Sequence, residues 1–164
     1  GEFVDTFGNG IKDDKKVKAY IPGGASAPWF TGDQLDIKMT IDDVANAGSM
    51  LGSGAVVVMD EDTNLVYAAK SIVSFFAHES CGQCTPCREG TGWLYRMLCR
   101  IIDGHGEVDD LNKLVEVANK IEGHTICALG DAAAWPVQSF LKHYRHEFEF
   151  MVRNNGQSLT EIAA

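Results

Sequence analysis

The chain has 164 residues, 45% of them hydrophobic, and a formal net charge of −9 at pH 7. This length and apolar content are sufficient for one or two small domains with a hydrophobic core. The acidic balance argues against binding to nucleic acid or to an anionic membrane surface, because both require basic residues. No apolar run approaches the roughly 20 residues of a membrane-spanning helix, and no signal-peptide pattern is visible, so we expect no direct membrane contact.

The first part of the chain has the pattern of a small mixed unit. Residues 1–15 begin with an amphipathic segment that ends at glycines. Three later stretches have the alternation or the β-branched content of strands, and they are 16–21, 55–59 and 65–68. Residues 42–47 are predicted to form a short helix capped by Thr40. These elements predict an α+β unit over residues 1–69.

From Lys70 onward the apolar residues recur with helical period. Four helices are predicted, and they begin near Lys70, at Thr85-Pro86, near Val108 and near Pro136. Thr85 is the expected cap of the second helix and Pro86 its first residue. Short connections between four helices predict a four-helix bundle over residues 70–152. A polar tail, 153–164, follows, in which Ser158 and Glu161 have the spacing of a capping box.

The cysteines of the second unit have the spacing of a metal or cluster site. Cys81, Cys84 and Cys87 are separated by two residues each, and Cys127 follows at a distance, giving C-x2-C-x2-C-x39-C. Three sulfurs leave a four-coordinate site one ligand short, and Cys127 completes the set. Closely spaced cysteines with one distant cysteine are typical of iron–sulfur sites. The cysteine loops are expected at one end of the bundle.

Two other interpretations of the cysteines remain open at this point. Four thiolates also form structural zinc sites, although zinc usually binds two separated C-x-x-C pairs. Disulfides are less favoured, because a fifth cysteine, Cys99, would remain unpaired and no secretory segment is visible. We interpret Cys99 as a small buried hydrophobic residue within a helix.

Residues beside the cysteines are predicted to favour a negatively charged group. Cys87 would lie in the first turn of the second helix, where free amides and the helix dipole stabilise anions. Arg88 adds a positive charge, and Gly82 and Gly90 would let the backbone approach closely.

Three larger side chains near the cysteines are predicted to have supporting roles and not to bind the metal group. His124 is expected to make a supporting hydrogen bond while four cysteines are present as ligands. Trp93 and Trp135 are expected to pack in the core and to shield the site from water.

The two cysteine segments, residues 79–93 and 121–131, together with residues 134–138, closely resemble the flavoprotein subunit of NADH:quinone oxidoreductase, respiratory complex I. The resemblance implies a [4Fe-4S] cluster on Cys81, Cys84, Cys87 and Cys127, which relays single electrons from FMN. It also implies that residues 1–69 form a β-grasp-like domain of the soluble ligand-binding type. Diaphorase modules of NAD-linked hydrogenases and formate dehydrogenases share this plan and are an alternative.

The resemblance further implies partners and a location. Family members have an N-terminal region that binds FMN and NAD(H), and no glycine-rich motif of that kind precedes Val17. We therefore expect this chain to correspond to the C-terminal part of the subunit and to oxidise NADH only when assembled. The implied partners are the FMN/NADH-binding region and other peripheral-arm subunits. The implied location is peripheral, on the cytoplasmic face of a bacterial inner membrane or on the mitochondrial matrix side.

Overall fold

The structure, a computed structural model, describes residues 1–162 and divides the chain into two compact units. The first unit is Gly1–Thr63, and the second begins at Asn64. The predicted boundary after residue 69 therefore lies too late in the chain. None of the helices in the described residues combines the length and the apolar content needed to cross a bilayer.

The first unit is built on a small antiparallel sheet. Its three strands are β1 (Val17–Ile21), β2 (Phe30–Thr31) and β3 (Val57–Asp60), in the order β2-β1-β3. In the central strand, Tyr20 pairs with Phe30 of β2 and with Val58 of β3. The helical segments of this unit are a π-helix, two 3-10 turns and one α-helix, and they span Phe3–Phe7, Lys12–Asp14, Gly32–Gln34 and α1 (Ile41–Asn46).

The core of the first unit lies between β1, β2 and α1. Tyr20, Phe30 and Val44 are buried together, with the two ring centroids 5.3 Å apart. The Tyr20 hydroxyl donates to the Gln34 carbonyl at 2.8 Å, and burial raises the pKa of Tyr20 to about 12. The predicted cap of α1 is confirmed, since Thr40 Oγ1 accepts the Asp43 N–H at 3.1 Å.

The prediction of a strand at 65–68 is wrong, because these residues begin the helix α2 (Leu65–Glu79). Asn64 is the cap, and its Oδ1 accepts the N–H groups of Val66 and Tyr67 at 3.1 and 3.3 Å. Leu65, Val66 and Ala69 are buried, which is one face of a helix and not alternate residues of a strand.

The second unit consists of helices. After α2 come α3 (Thr85–Ile102), α4 (Val108–Ile121), α5 (Leu129–Arg153) and the short α6 (Leu159–Ile162). Helix α5 packs against α2, α3 and α4, and α3 also packs against α2 and α4. The core includes large side chains with no exposed surface, namely Leu94, Leu98, Ile101, Leu111, Leu114, Phe140 and Phe148.

Two predicted helix starts in this unit need correction. Helix α5 begins at Leu129, and Pro136 lies inside it. In the first turns of α5, Gly130, Ala133 and Ala134 are small and buried, which lets this end of the helix pack closely. Helix α3 begins at Thr85, so Cys84 occupies the N-cap position that was predicted for Thr85.

The capping box in the predicted tail is confirmed. The Ser158 N–H donates to Glu161 Oε2 at 2.8 Å, and the Glu161 N–H donates to Ser158 Oγ at 3.2 Å. This reciprocal pair begins α6 at Leu159. Residues 163 and 164 of the tail lie outside the described residues.

Candidate metal centre

The two cysteine segments lie side by side at one end of the helices. Residues 80–84 connect α2 to α3, and residues 122–128 connect α4 to α5. The N–H of Ile126 donates to Cys84 Sγ at 3.4 Å, which joins the two connections across 42 positions of sequence. The fold thus brings the distant cysteine segment to the closely spaced one.

The three closely spaced cysteines differ in exposure. Cys81 is exposed, Cys84 is half-buried, and Cys87 is 6% exposed. Ser80 Oγ lies 3.2 Å from Cys87 Sγ. The buried Thr91 hydroxyl donates to the Cys87 carbonyl at 2.7 Å. Cys87 is therefore the most shielded of the three, and its backbone and its sulfur both have hydrogen-bond partners.

Arg88 closes the first cysteine connection. Its guanidinium donates to the Gly82 carbonyl at 2.9 Å, to Thr85 Oγ1 at 3.4 Å and to Glu89 Oε1 at 2.9 Å. Gly82 adopts a φ of +80°, a conformation that other residues rarely adopt and that turns its carbonyl within reach of the arginine. Arg88 thus stabilises the turn at Gly82 through hydrogen bonds, a role that its charge alone does not predict.

The second cysteine connection is fixed by hydrogen bonds to α5. The N–H of Gly123 donates to Asp131 Oδ1 at 2.8 Å, and Thr125 Oγ1 donates to the Cys127 carbonyl at 2.9 Å. Gly130 is buried directly against Thr125, because a Cβ there would lie 2.3 Å from Thr125 Oγ1. No local sequence signal identifies Asp131, whose role follows only once α5 is known to begin at Leu129.

Glu122 anchors the start of this connection. Its carboxylate accepts the Gln138 amide and the Trp135 indole N–H, each at 2.7 Å. These two hydrogen bonds, first that of Gln138 and then that of Trp135, hold the pKa of Glu122 below its ordinary value. The role of Glu122 was also not predicted, because its partners are 13 and 16 positions away and follow no local pattern.

Three predictions about neighbouring residues are wrong. Gly90 faces the α4 side chain of Ile121, where a Cβ would lie 2.7 Å from two carbons, so its small size serves helix packing. Trp93 is 50% exposed and not in the core. Cys99 is half-buried in the middle of α3, less shielded than expected.

The hydrogen bond expected of His124 is made to the backbone. His124 is exposed, and its Nδ1 lies 2.7 Å from the Glu122 carbonyl oxygen and not beside a sulfur.

The donor set fits a group that prefers sulfur. All five cysteines are free thiols, and Cys81, Cys84, Cys87 and Cys127 lie in or directly beside the two connections. Thiolates are the ligands of iron–sulfur clusters and of zinc. Within residues 1–162, no three His, Cys, Asp or Glu side chains converge at metal-binding distance. The fold thus brings the two cysteine segments together. For all four sulfurs to bind one group, the cysteine side chains must turn toward a common point.

Comparison with known families distinguishes between an iron–sulfur cluster and zinc. A family model described as "NADH-ubiquinone oxidoreductase-F iron-sulfur binding region" matches residues 67–151, which contain all four candidate cysteines. The chain belongs to this family. The family is defined by a [4Fe-4S]-binding region, so the prediction of that cofactor over zinc is confirmed.

Relatives of this chain are subunits of NADH-quinone oxidoreductases. The F subunits of the NADH-quinone oxidoreductases of Rickettsia typhi and Rickettsia bellii are 44% and 45% identical to this chain. The matches cover 94% and 93% of this chain and 37% of each relative, so the chain spans little more than a third of their length.

A solved structure resembles the fold. The crystal structure of an NAD+-reducing [NiFe]-hydrogenase in the H2-reduced state matches with a TM-score of 0.76 and 27% sequence identity. The match covers 85% of this chain and 24% of the hydrogenase chain.

Proposed function

We propose that this chain is the electron-transferring part of the NADH-oxidising flavoprotein subunit of an NADH:quinone oxidoreductase. Cys81, Cys84, Cys87 and Cys127 would bind its [4Fe-4S] cluster. The observation that carries this proposal is the hydrogen bond from the Ile126 N–H to Cys84 Sγ, which joins the two cysteine segments within the family-matched range. The 44% identity to the NADH-quinone oxidoreductase component of Rickettsia typhi supports the choice of enzyme.

The residues around the cysteines suit this role. When bound, a [4Fe-4S] cluster accepts and donates one electron at a time. Cys84 and Cys87 lie in the N-cap and first turn of α3, where free amides and the helix dipole stabilise negative charge. The buried position of Cys87 excludes water from one side of the site, whereas exposed Cys81 and Cys127 leave the other side open for electron exchange.

The finer description of the fold is part of the proposal. We assign the helices α2 to α5 to a four-helix bundle that carries the cysteine loops at one end. Their mutual packing and short connections support this assignment. We assign the first unit to the β-grasp-like, soluble ligand-binding type, which its three-stranded sheet and α1 are compatible with.

The proposed partners follow from the relatives. FMN and NAD(H) would bind a separate flavin- and NADH-binding region, and electrons would pass from it through this chain to other peripheral-arm subunits. NADH oxidation would then occur only in the assembled enzyme. We place the assembly peripherally, at the cytoplasmic face of a bacterial inner membrane or on the matrix side in mitochondria.

A second candidate is the diaphorase module of an NAD-linked hydrogenase. The observation in its favour is the TM-score of 0.76 to the NAD+-reducing [NiFe]-hydrogenase. The identity to that protein is 27%, against 44% to the Rickettsia typhi relative, so the quinone-reducing enzyme is the better candidate.

Metal analysis of the anaerobically purified chain tests the cluster and its ligands. We expect about four irons and four sulfides per chain, with an electron paramagnetic resonance signal after dithionite reduction. The variant C127A should lose this signal. The control C99A should keep it, because Cys99 lies on α3 outside both loops. One zinc without sulfide in the wild type, or an unchanged signal in C127A, would contradict the proposed ligand set.

A further inference from the structure

One side-chain hydroxyl lies against a sulfur of the proposed ligand set. Ser80 Oγ is 3.2 Å from Cys87 Sγ, and Cys87 is 6% exposed. Ser80 is itself held in place, because it ends α2 and its N–H donates to the Phe76 carbonyl at 3.1 Å. This contact thus spans two elements, the end of α2 and the first turn of α3.

The direction of this hydrogen bond is determined once Cys87 binds metal. In the free thiol either atom can donate. A metal-bound thiolate has no proton, so the Ser80 hydroxyl must then be the donor. We propose that Ser80 tunes the reduction potential of the cluster by donating this hydrogen bond to Cys87 Sγ. The inference rests on the proposed ligand set and extends it to a residue outside the cysteines.

The hydrogen bond should favour the reduced state. Reduction adds one negative charge to the cluster and its sulfurs, and a donor to sulfur stabilises that charge and raises the potential. Burial strengthens the effect, because the interaction lies in a medium of low dielectric constant. Water has access to the exposed Cys81 and Cys127 and can donate there, so a protein hydroxyl matters most at Cys87.

Two hydrogen bonds hold the backbone that carries the Cys87 side chain. The Thr91 hydroxyl fixes the Cys87 carbonyl at 2.7 Å, and the Arg88 N–H donates to the Cys84 carbonyl at 2.9 Å. Another donor to a sulfur of this set is the backbone N–H of Ile126 on Cys84, which a side-chain substitution does not remove. Substitution of Ser80 therefore removes one hydroxyl and, with it, one hydrogen bond to a sulfur of the proposed ligand set.

Two variants and one control isolate this hydroxyl in the full chain loaded anaerobically. S80A removes the hydroxyl, and S80T retains it. S71A is the matched control, because Ser71 lies on the same helix and donates to the Tyr67 carbonyl at 3.0 Å, not to a sulfur. The readout is the midpoint potential from a redox titration followed by electron paramagnetic resonance, together with iron and sulfide content.

We expect S80A to be harder to reduce. At a fixed ambient potential its ratio of reduced to oxidised cluster should fall about tenfold, which corresponds to 59 mV for a one-electron couple. S80T and S71A should keep the wild-type midpoint potential. A purely structural role of Ser80 would change iron content or thermal stability and leave the midpoint potential of the loaded fraction unchanged.

The outcomes separate the failure of this inference from the failure of the ligand set. A loaded S80A cluster with the wild-type midpoint potential would overturn the role of Ser80 and leave the four cysteines as ligands. If S80A does not load, S80V takes its place, because valine matches the threonine of S80T in shape but lacks the hydroxyl. A midpoint potential about 59 mV below that of S80T supports the inference, and a midpoint potential equal to that of S80T overturns it. A wild-type chain without iron and sulfide would overturn both.

Discussion

Substitution of Gly130 tests whether its packing against Thr125 stabilises the second cysteine connection. It is the second residue of α5 and is buried. A Cβ at this position would lie 2.3 Å from Oγ1, 2.6 Å from Cγ2 and 2.9 Å from Cβ of Thr125. Rotation of Thr125 moves the first two atoms but not its own Cβ, so the substitution G130A must displace the residue. The hydrogen bond from Thr125 Oγ1 to the Cys127 carbonyl would then be lost.

The expected cost is a balance of three effects. Alanine favours the helix over glycine by up to ~1 kcal/mol. Overpacking in a tight site costs ~1–3 kcal/mol, and the lost hydrogen bond costs ~0.5–1.5 kcal/mol. The steric terms prevail, so G130A should lower the free energy of unfolding by ~1–3 kcal/mol. With a urea dependence of ~1–3 kcal/mol per molar, the unfolding midpoint should fall by ~1 M.

Urea unfolding followed by helical circular dichroism measures this change, and iron content after loading measures its effect on Cys127. The matched control is G92A on α3, where a Cβ would meet only the flexible guanidinium of Arg96, at 3.2 Å or more. G92A should leave stability unchanged or raise it by up to ~1 kcal/mol. If G130A unfolds at the wild-type urea concentration and loads the same amount of iron, the packing argument is wrong.

Three further changes test other contacts. Burial raises the pKa of Tyr20 from 10.0 to about 12, so the free energy of unfolding should fall as pH rises between these values. Y20F should make that fall smaller in urea titrations, and an unchanged fall would contradict the role of Tyr20. Burial disfavours the ionised form of Asp110, but the hydrogen bonds from Arg100 and from the Glu107 N–H outweigh it and lower its pKa. The stability that Asp110 contributes is therefore complete above about pH 4 and lost as pH falls further. D110N should cost ~1–3 kcal/mol at neutral pH and flatten the acid limb, and an unchanged limb would contradict this reasoning. E122A should cost ~1–2 kcal/mol in thermal unfolding, and E122Q, which keeps an acceptor, should cost less; equal losses would exclude the hydrogen bonds as the cause.

Local sequence signals predict those elements in which the residues at the ends and the spacing of the apolar residues indicate the same secondary structure. The helix Val108–Ile121 was predicted from its apolar spacing and the glycine after it, and the cap of α1 from Thr40. The sequence wrongly predicts a strand over residues 65–68, because four apolar residues are too few to separate a helical from an alternating period. Asn64 is a common helix cap, and it was the available signal for the correct assignment.

Non-local contacts account for what the sequence could not predict. The apolar spacing predicts a start of α5 near Pro136, whereas the helix begins at Leu129 and Gly130 is buried against Thr125, a contact that depends on the second connection. The cysteine spacing predicts which sulfurs bind the same group. It carried no information on the contacts of Ser80 with Cys87 or of Ile126 with Cys84, since these depend on how α2, α3 and the second connection pack.

Helix α5 links the second cysteine connection to the interior of the helical unit. It begins two positions after Cys127 and packs against α2, α3 and α4. A ligand that restrains Cys127 therefore restrains the first turn of the helix on which the other three long helices pack. Its binding free energy adds to the free energy of opening the whole unit. Loading of the site should accordingly slow amide hydrogen exchange throughout α2 to α5, and not only in the two cysteine connections.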